Sequence, residues 1–188
     1  ITTVTSTDVT CNSVNDGTIL IEGDNLLSYS VNGVIQNGNG LFENLAPGFY
    51  NIAAFSGVDG NLCSDIYATQ IQIKEPQPLS IIDISEDITV CKGDEVQLSA
   101  TAAGGNGNYT YSWLVDNRPT YLGQTIFLTA EESREICLLL TEDCPSPSPA
   151  LQCVDVNVSP TIYPSMETNV VDGCYPLEVE FTNTSSGG

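Results

Sequence analysis

Apolar and polar residues alternate with a period of two along most of the chain, and turn-forming dipeptides interrupt the alternation every few residues. This pattern is typical of short β-strands with one buried face. In the N-terminal stretch it predicts strands at Thr2–Thr10, Gly17–Glu22, Leu27–Asn32, Leu41–Asn44, Gly48–Ser56 and Ser64–Lys74. In the following stretch it predicts strands at Leu79–Ile84, Glu95–Ala102, Tyr109–Val115, Thr125–Leu128, Glu135–Glu142 and Cys153–Val158. The chain is therefore predicted to be all-β.

The spacing of the cysteines indicates an internal repeat. Cys11, Cys91 and Cys174 follow one another at nearly equal intervals, and the interval from Cys63 to Cys144 is almost the same. A module of about 80 residues thus occurs twice and begins a third time. Proline-bearing linkers at residues 75–78 and 159–164 separate the modules. We expect three domains, at 1–76, 77–160 and 161–188, the last of them incomplete, in an extended rod.

Six or seven short strands in about 80 residues, separated by turns, are typical of an immunoglobulin-like β-sandwich. The one helix candidate, residues 129–136, begins with a threonine cap and contains strong helix formers. We interpret it as a single turn before a strand, which places Leu138, Leu139 and Leu140 in a central strand.

Composition narrows the classes of function. The 188 residues include 4 lysines and arginines and 24 acidic residues, so the formal net charge is −20. Such a chain repels nucleic acid and anionic membrane surfaces. There is no histidine, which removes the commonest general base and metal ligand. With 41% hydrophobic residues the chain is nevertheless expected to fold.

Seven cysteines indicate an oxidising compartment, where disulfides support small cores. Their spacings do not match zinc sites. No apolar run is long enough to span a membrane, so no membrane insertion is expected. We expect a piece of a longer secreted protein.

The first module resembles a known family in its order of motifs. Thr10-Cys11-Asn12 is followed by Asn15-Asp16-Gly17, then Pro47-Gly48-Phe49-Tyr50, a turn ending in Cys63, and Glu75-Pro76 at the close. These motifs resemble the short SprB-type repeat of giant surface adhesins from gliding Bacteroidetes. The family more often has Asn-Gly-Cys where this chain has Asn61-Leu62-Cys63.

The second module is similar to the PKD-like and Ig-like domains of the same secreted proteins. The similarity is carried by residues 90–100, which precede the Tyr109–Trp113 strand. Residues 172–183 resemble the opening of a further PKD domain. The resemblance implies a tandem segment of a large adhesin or filament, exported by type IX secretion and displayed on the cell surface.

Aromatic and acidic side chains are the candidates for binding or catalysis. Trp113 and Tyr50 could form a carbohydrate platform, but they occupy positions where Ig-like sandwiches keep a core indole and a corner tyrosine. The carboxylate pairs are Glu86/Asp87, Asp94/Glu95 and Glu131/Glu132. Neighbouring residues of a strand point to opposite faces, whereas a glycosidase pair converges across a cleft. We therefore expect no catalytic residues, no enzyme activity and no organic cofactor.

Calcium is a weak candidate ligand, because acidic residues crowd the predicted turns. The candidate ligands are Asp16, Asp24, Asp59 and Asp65, and oxygen ligands at loop ends suit hard cations. Asp-Gly sequences also form ordinary hairpin turns, and the EF-hand pattern is absent from the sequence. Turn formation is the favoured interpretation.

The cysteine pairing is open between two schemes. Parity within the first module favours Cys11–Cys63, and a loop in the second favours Cys144–Cys153, which leaves Cys91 for Cys137. In an Ig-like sandwich, however, Cys11 and Cys63 lie at opposite ends, about 20 Å apart, and bonded Cα atoms lie within ~7 Å. A crossing pair, Cys11–Cys144, is the alternative. Ala100 excludes the usual inter-sheet bond, and Cys174 is expected to be unpaired in these residues.

Two classes of function and one further alternative follow. The first is a non-catalytic structural or adhesive segment whose partners are neighbouring repeats and a cell-surface ligand such as a polysaccharide. The second is an accessory carbohydrate- or protein-binding module of a secreted hydrolase, and a calcium-dependent adhesion domain is a further alternative.

Overall fold

The computed structural model describes residues 1–58, 61–144 and 148–187, and these residues contain strands and no helix. These ranges therefore contain no helix long and apolar enough to cross a membrane. The strands of the first module are β1 Thr3–Thr7, β2 Gly17–Glu22, β3 Ser28–Val31, β4 Val34–Asn37, β5 Leu41–Leu45, β6 Gly48–Tyr50, β7 Ile52–Val58, β8 Asn61–Ile66 and β9 Ile71–Ile73. The next strands are β10 Ser80–Ile84, β11 Ile88–Cys91, β12 Glu95–Ala103, β13 Tyr109–Val115, β14 Arg118–Leu122, β15 Thr125–Thr129, β16 Arg134–Glu142 and β17 Ala150–Ser159. The last two are β18 Met166–Thr168 and β19 Phe181–Asn183.

The backbone divides into two compact units. The first contains Ile1–Ile81 together with Ala102–Thr110 and Leu140–Ala150. The second contains Ile82–Thr101, Tyr111–Leu139 and Leu151–Gly188. Residues 102–110 and 140–144, which belong to the second module by sequence, thus lie in the first unit. The domain limits at 76/77 and 160/161 stay predictions.

In the first unit, alternating strand residues form one apolar core. Its three sheets have the orders β1-β2-β5, β4-β3-β7-β8 and β6-β9. In β2 every second residue is buried, with Ile19 and Ile21 fully enclosed. The buried core cluster consists of Val9, Ile19, Ile21, Tyr29, Val31, Phe42, Ile52, Ala54 and Ile73. Period-two alternation therefore produces the one-sided burial expected of sandwich strands.

Strands β10 to β17 form the two sheets of a second sandwich. Their orders are β10-β12-β15 and β11-β17-β16-β13-β14, and β11 runs parallel to β17. This is the strand arrangement of an Ig-like domain. The buried side chains are Val96, Leu98, Ala100, Trp113, Ile126, Ala130, Ile136, Leu138, Leu140, Val154 and Val156. The prediction of an all-β, Ig-like chain is confirmed.

Most predicted strands are present, although the predicted strands Gly48–Ser56 and Ser64–Lys74 are each divided between two strands. The strands that the pattern missed, β4, β11, β14, β18 and β19, are short. Strands β4 and β14 each follow a two-residue hairpin turn. Asn32 and Gly33 have positive φ in the first turn, and Asp116 and Asn117 in the second. Two successive residues with positive φ suit the right-handed twist of the flanking strands. Strand β11, also missed, is a short edge strand.

Residues 129–136 form no helix; strand β15 ends at Thr129 and strand β16 begins at Arg134. Leu138, Leu139 and Leu140 lie in β16, the central strand of its five-stranded sheet, as predicted. Leu138 and Leu140 are fully buried.

Residues 161–187 contain the antiparallel pair β18–β19 and no buried residue. Val171 is 92% exposed and Tyr175 is 99% exposed. The apolar side chains of this segment therefore have no core of their own among the residues described.

Shortening Leu138 to alanine tests the second core. Leu138 is 0% exposed. Leu138→Ala is therefore expected to lower the free energy of unfolding by about 2–5 kcal/mol. The matched control is Leu122→Ala, since Leu122 is 73% exposed. Its truncation is expected to cost less than about 0.5 kcal/mol.

The measurement is urea unfolding followed by the fluorescence of Trp113, the only tryptophan. Equal losses of stability in the Leu138 and Leu122 variants would contradict the core assignment.

Candidate functional site

The candidate carboxylate pairs take part in structural contacts. Asp87 Oδ1 accepts a hydrogen bond from the Asp155 backbone N–H (2.8 Å), and Asp94 Oδ2 accepts one from the Cys91 N–H (3.0 Å). Glu132 is hydrogen-bonded and ion-paired to Arg134. Each pair thus has at least one member engaged with a neighbouring strand or turn.

Asp8 and Asp87 occupy matching places in the two modules. The sequence around Asp8, Asp8-Val9-Thr10-Cys11, is echoed by Asp87-Ile88-Thr89-Val90-Cys91. Asp8 Oδ1 accepts a hydrogen bond from the Lys74 N–H (2.7 Å), near the end of the first module. Asp87 does the same for Asp155, near the end of the second. The repeated aspartate therefore hydrogen-bonds the start of each module to a backbone N–H near the end of that module.

The calcium candidates are not gathered into one site. Asp16 is bonded to Thr10, and Asp65 Oδ2 lies 2.5 Å from the Ile1 amino group. Asp24 lies in the turn after β2, and Asp59 is outside the described residues. Within the described ranges, these aspartates form no group of three or more potential ligands.

Thr10 lowers the pKa of Asp16. The Thr10 hydroxyl donates to Asp16 Oδ2 (2.5 Å), and the Thr10 backbone N–H donates to Oδ1 (2.9 Å). The hydroxyl contact has the larger effect, and both favour the charged carboxylate, so the pKa of Asp16 lies below its ordinary value. The carboxylate thus stabilises the turn that carries Cys11.

One group of potential metal ligands is present in the described part of the chain: Glu135, Cys137 and Cys153. The two sulfur atoms form a disulfide, so neither is a thiolate. Because thiolates are the sulfur ligands of metals, this group does not fit a metal ion.

Of the two aromatic candidates, Trp113 lies in the interior and Tyr50 lies at a corner of the first sandwich. Trp113 is 0% exposed, and its Nε1–H donates to the Gly123 carbonyl (2.9 Å). The Tyr50 hydroxyl donates to the Ala46 carbonyl, a short distance upstream (2.6 Å). This matches the tyrosine corner of Ig-like domains. Ile136, at the corresponding place in the second module, is buried. The interpretation of Trp113 and Tyr50 as structural residues is confirmed.

The disulfides differ from the pairing that the sequence favoured. Cys11 is bonded to Cys144, with Cα atoms 6.1 Å apart, and Cys137 is bonded to Cys153. Cys63, Cys91 and Cys174 are free and exposed. The favoured pairs Cys11–Cys63, Cys144–Cys153 and Cys91–Cys137 are therefore wrong, and the crossing alternative Cys11–Cys144 is present.

Strand order explains these corrections. Cys63 lies on the edge strand β8 and faces solvent, whereas Cys11 is only 2% exposed. Cys91 lies on β11, which is separated from β16 and Cys137 by the whole of β17. Two strand spacings are about 10 Å, which exceeds the reach of a disulfide. Cys153 on β17 is instead adjacent to Cys137.

A polar loop that sequence reasoning did not identify surrounds the Cys11–Cys144 bond. The Asn106 side-chain amide donates to the Asp143 carbonyl (2.7 Å) and lies 3.9 Å from Cys11 Sγ. The Asn106 backbone N–H donates to Glu142 Oε2 (2.7 Å). These contacts enclose the disulfide within the first compact unit.

Two glycines let this loop approach the chain closely. Gly104 and Gly105 have φ of +77° and +58°. A Cβ at Gly104 would lie 2.1 Å from the Pro78 carbonyl oxygen, and the Gly105 N–H donates to the Gln77 carbonyl (2.7 Å). Glycine alone fits such a position without strain. The glycine run 104–107 was the sequence signal for this loop.

A cleft in the second unit is lined by Tyr121, Glu132, Arg134, Ile136 and Val156 and has a volume of about 220 Å³. A shallower depression of about 500 Å³ shares Arg134 and Tyr121. The Arg134 guanidinium forms ion pairs with the carboxylates of Glu132 and Asp116, which line the cleft and the depression respectively. Its charge is thus largely compensated within the protein.

Comparison with known proteins supports the fold assignment. No family model and no curated protein matches the chain. Among solved structures, the three N-terminal domains of the bacteriophage RB49 Highly Immunogenic Outer Capsid protein (Hoc) superpose with a TM-score of 0.54 and 11% identity, covering 98% of this chain and 68% of that one. Fibronectin(III)-like modules of Clostridium thermocellum CbhA give 0.37 at 16% identity, covering 83% and 94%. Dpr11 IG1 bound to DIP-gamma IG+IG2 gives 0.39 at 14% identity, covering 81% and 92%.

The likeness to Hoc spans both sandwiches and, at this identity, concerns the fold alone. Together with the sheet orders, it identifies the chain as a tandem of Ig-like β-sandwich modules.

The depressed pKa of Asp16 gives a testable pH dependence. In Thr10→Val the hydroxyl contact is lost, so the Asp16 pKa is expected to rise toward its ordinary value, as measured by NMR titration of the side-chain carboxyl. A carboxyl with a depressed native pKa stabilises the fold above its unfolded pKa, and this contribution is lost as the pH falls through the native pKa. The stability difference between the two proteins should therefore shrink below about pH 4. An unchanged Asp16 pKa in the variant would contradict the assignment.

Proposed function

We propose that this chain is a non-catalytic segment of a large secreted adhesin or filament, in which tandem modules space and present a distal binding region. The observation that carries the proposal is the Cys11–Cys144 bond, which joins residues that the sequence assigns to successive modules. A bond that links two sequence repeats favours a role in which consecutive repeats act together.

The side chains that could support other functions have structural roles. Trp113 is enclosed, Tyr50 closes a corner, and Asp87 and Asp94 bind backbone N–H groups. A sugar-binding platform needs exposed aromatic faces, and a glycosidase needs two facing carboxyl groups. These contacts support a structural role over the accessory-module and enzyme alternatives.

Two disulfides and an Ig-like fold indicate a secreted or surface protein, because disulfides persist in oxidising compartments. The finer assignment rests on the motif resemblance of residues 10–76. On that basis we propose surface display through type IX secretion and a role in attachment and gliding motility. Neighbouring repeats are the proposed partners, and a surface polysaccharide is the proposed ligand of the distal region.

A segment exchange in the source cell tests the spacer role. Deleting residues 1–160 from the gene is expected to reduce surface attachment. Replacing them with an unrelated tandem of two Ig-like domains of equal length is expected to restore it, because a spacer contributes length and spacing, not a specific surface. Attachment and surface display are both measured, so that a loss of export is recognised. Full display without restored attachment would favour a specific binding surface here, and unchanged attachment after deletion would contradict the proposal.

We further propose that the acidic residues in the turns bind no calcium and serve to form the turns. A cation that binds only the folded state raises its stability, by about 2.7 kcal/mol at a hundredfold excess over the dissociation constant. The thermal midpoint of the chain is therefore expected to be the same in millimolar calcium and in chelator. A midpoint several degrees higher in calcium would support the calcium-dependent alternative.

A further inference from the structure

The covalent connectivity of the chain has a mechanical consequence. We propose that the Cys11–Cys144 bond carries tension past most of the two sandwiches, so that residues 12–136 lie outside the load path of any force applied between the N-terminal and C-terminal sides of the segment. The bond joins residues with a sequence separation of 133. All strands from β2 to β16 lie inside this closed loop.

The second disulfide extends the protection at the C-terminal side. Cys153 lies within β17 and is bonded to Cys137 in β16, with a sequence separation of 16. Tension from the C-terminal side can separate residues 154–159 from their neighbours, but at Cys153 it passes across the disulfide. From Cys137 the short stretch to Cys144 leads directly to Cys11. The two bonds therefore act in series.

The strands left in the load path are few. Within the two sandwiches they are β1, which precedes Cys11, the part of β16 that follows Cys137, and the end of β17 that follows Cys153. Strand β1 pairs with β2 along its whole length. The apolar cores, centred on Ile19, Ile21, Trp113 and Leu138, are formed mainly by strands inside the loop. A force that detaches β1 therefore stops at Cys11.

The position of Cys11 suits this role. Its side chain is 2% exposed, and Asn106 contacts both its sulfur atom and the turn that carries Cys144. The free cysteines Cys63 and Cys91 are exposed, and both lie inside the loop. The Cys11–Cys144 bond, which would carry the load, is thus enclosed, whereas the free cysteines are exposed.

This inference depends on connectivity and not on the proposed adhesive role. The attachment assay does not test it, so a failure of that assay leaves the mechanical proposal standing, whereas a missing Cys11–Cys144 bond would remove the observation that both proposals share.

Single-molecule stretching of the whole chain between two handle domains tests the proposal, with the fully extended length as the readout. At about 3.5 Å per residue, the oxidised chain should stop at roughly 190 Å. The double variant Cys11→Ser/Cys144→Ser should reach about 600 Å, roughly a threefold increase. The fully extended length does not depend on whether the variant folds, so poor folding does not obscure the result.

Two controls separate the proposal from other pairings. Cys153→Ser should leave the extended length almost unchanged, because the short stretch from Cys144 to residue 153 then carries the load in place of the second disulfide. Cys63→Ser should also leave the length unchanged. A double variant no longer than the parent would overturn the proposal. An increase of about 180 Å in Cys63→Ser would overturn it as well, because that length corresponds to a Cys11–Cys63 loop.

Discussion

The Cys11–Cys144 disulfide is the interaction on which the arrangement of the first compact unit depends. It closes a loop with a sequence separation of 133. For a loop of this size the chain-entropy relation gives about 5 kcal/mol of stabilisation. The net stability of a typical domain is only about 5–15 kcal/mol, so one bond contributes on the scale of a whole domain. The contacts of Asn106 with Glu142 and Asp143, and the glycines that let this loop approach Pro78, enclose the bond.

The acidic residues act both through the net charge of the chain and through local hydrogen bonds. A net charge of −20 keeps neighbouring copies apart through repulsion. Locally, aspartates accept hydrogen bonds from backbone N–H groups. Asp8 and Asp87 do so at matching places of the two modules, and Asp16 does so in the turn before β2. The same residues that repel other molecules therefore close the modules internally.

The fold was predictable because its signals are local. Alternation predicted β2 as a strand, and Ile19 and Ile21 are buried in it because the side-chain period of a strand is two. The run Leu138–Leu140 was predicted to lie in a central strand, and Leu138 and Leu140 are buried there. The roles of Trp113 and Tyr50 followed from their positions in an Ig-like pattern. Strands β4 and β14 escaped prediction because each is short and follows a two-residue turn, so the apolar pattern has no room to repeat.

The amino-acid sequence by itself determined the fold class, the two-module organisation, the burial of alternate residues and the exclusion of histidine chemistry. The tertiary structure alone decided which cysteines meet. A strand's own sequence specifies which face is buried, but not which strand lies beside it. Cys137 therefore bonds to Cys153 because β16 and β17 are neighbours, and Cys91, one strand further away, stays free. Likewise Cys11 and Cys144, far apart in sequence, are brought within 6.1 Å only by long-range packing.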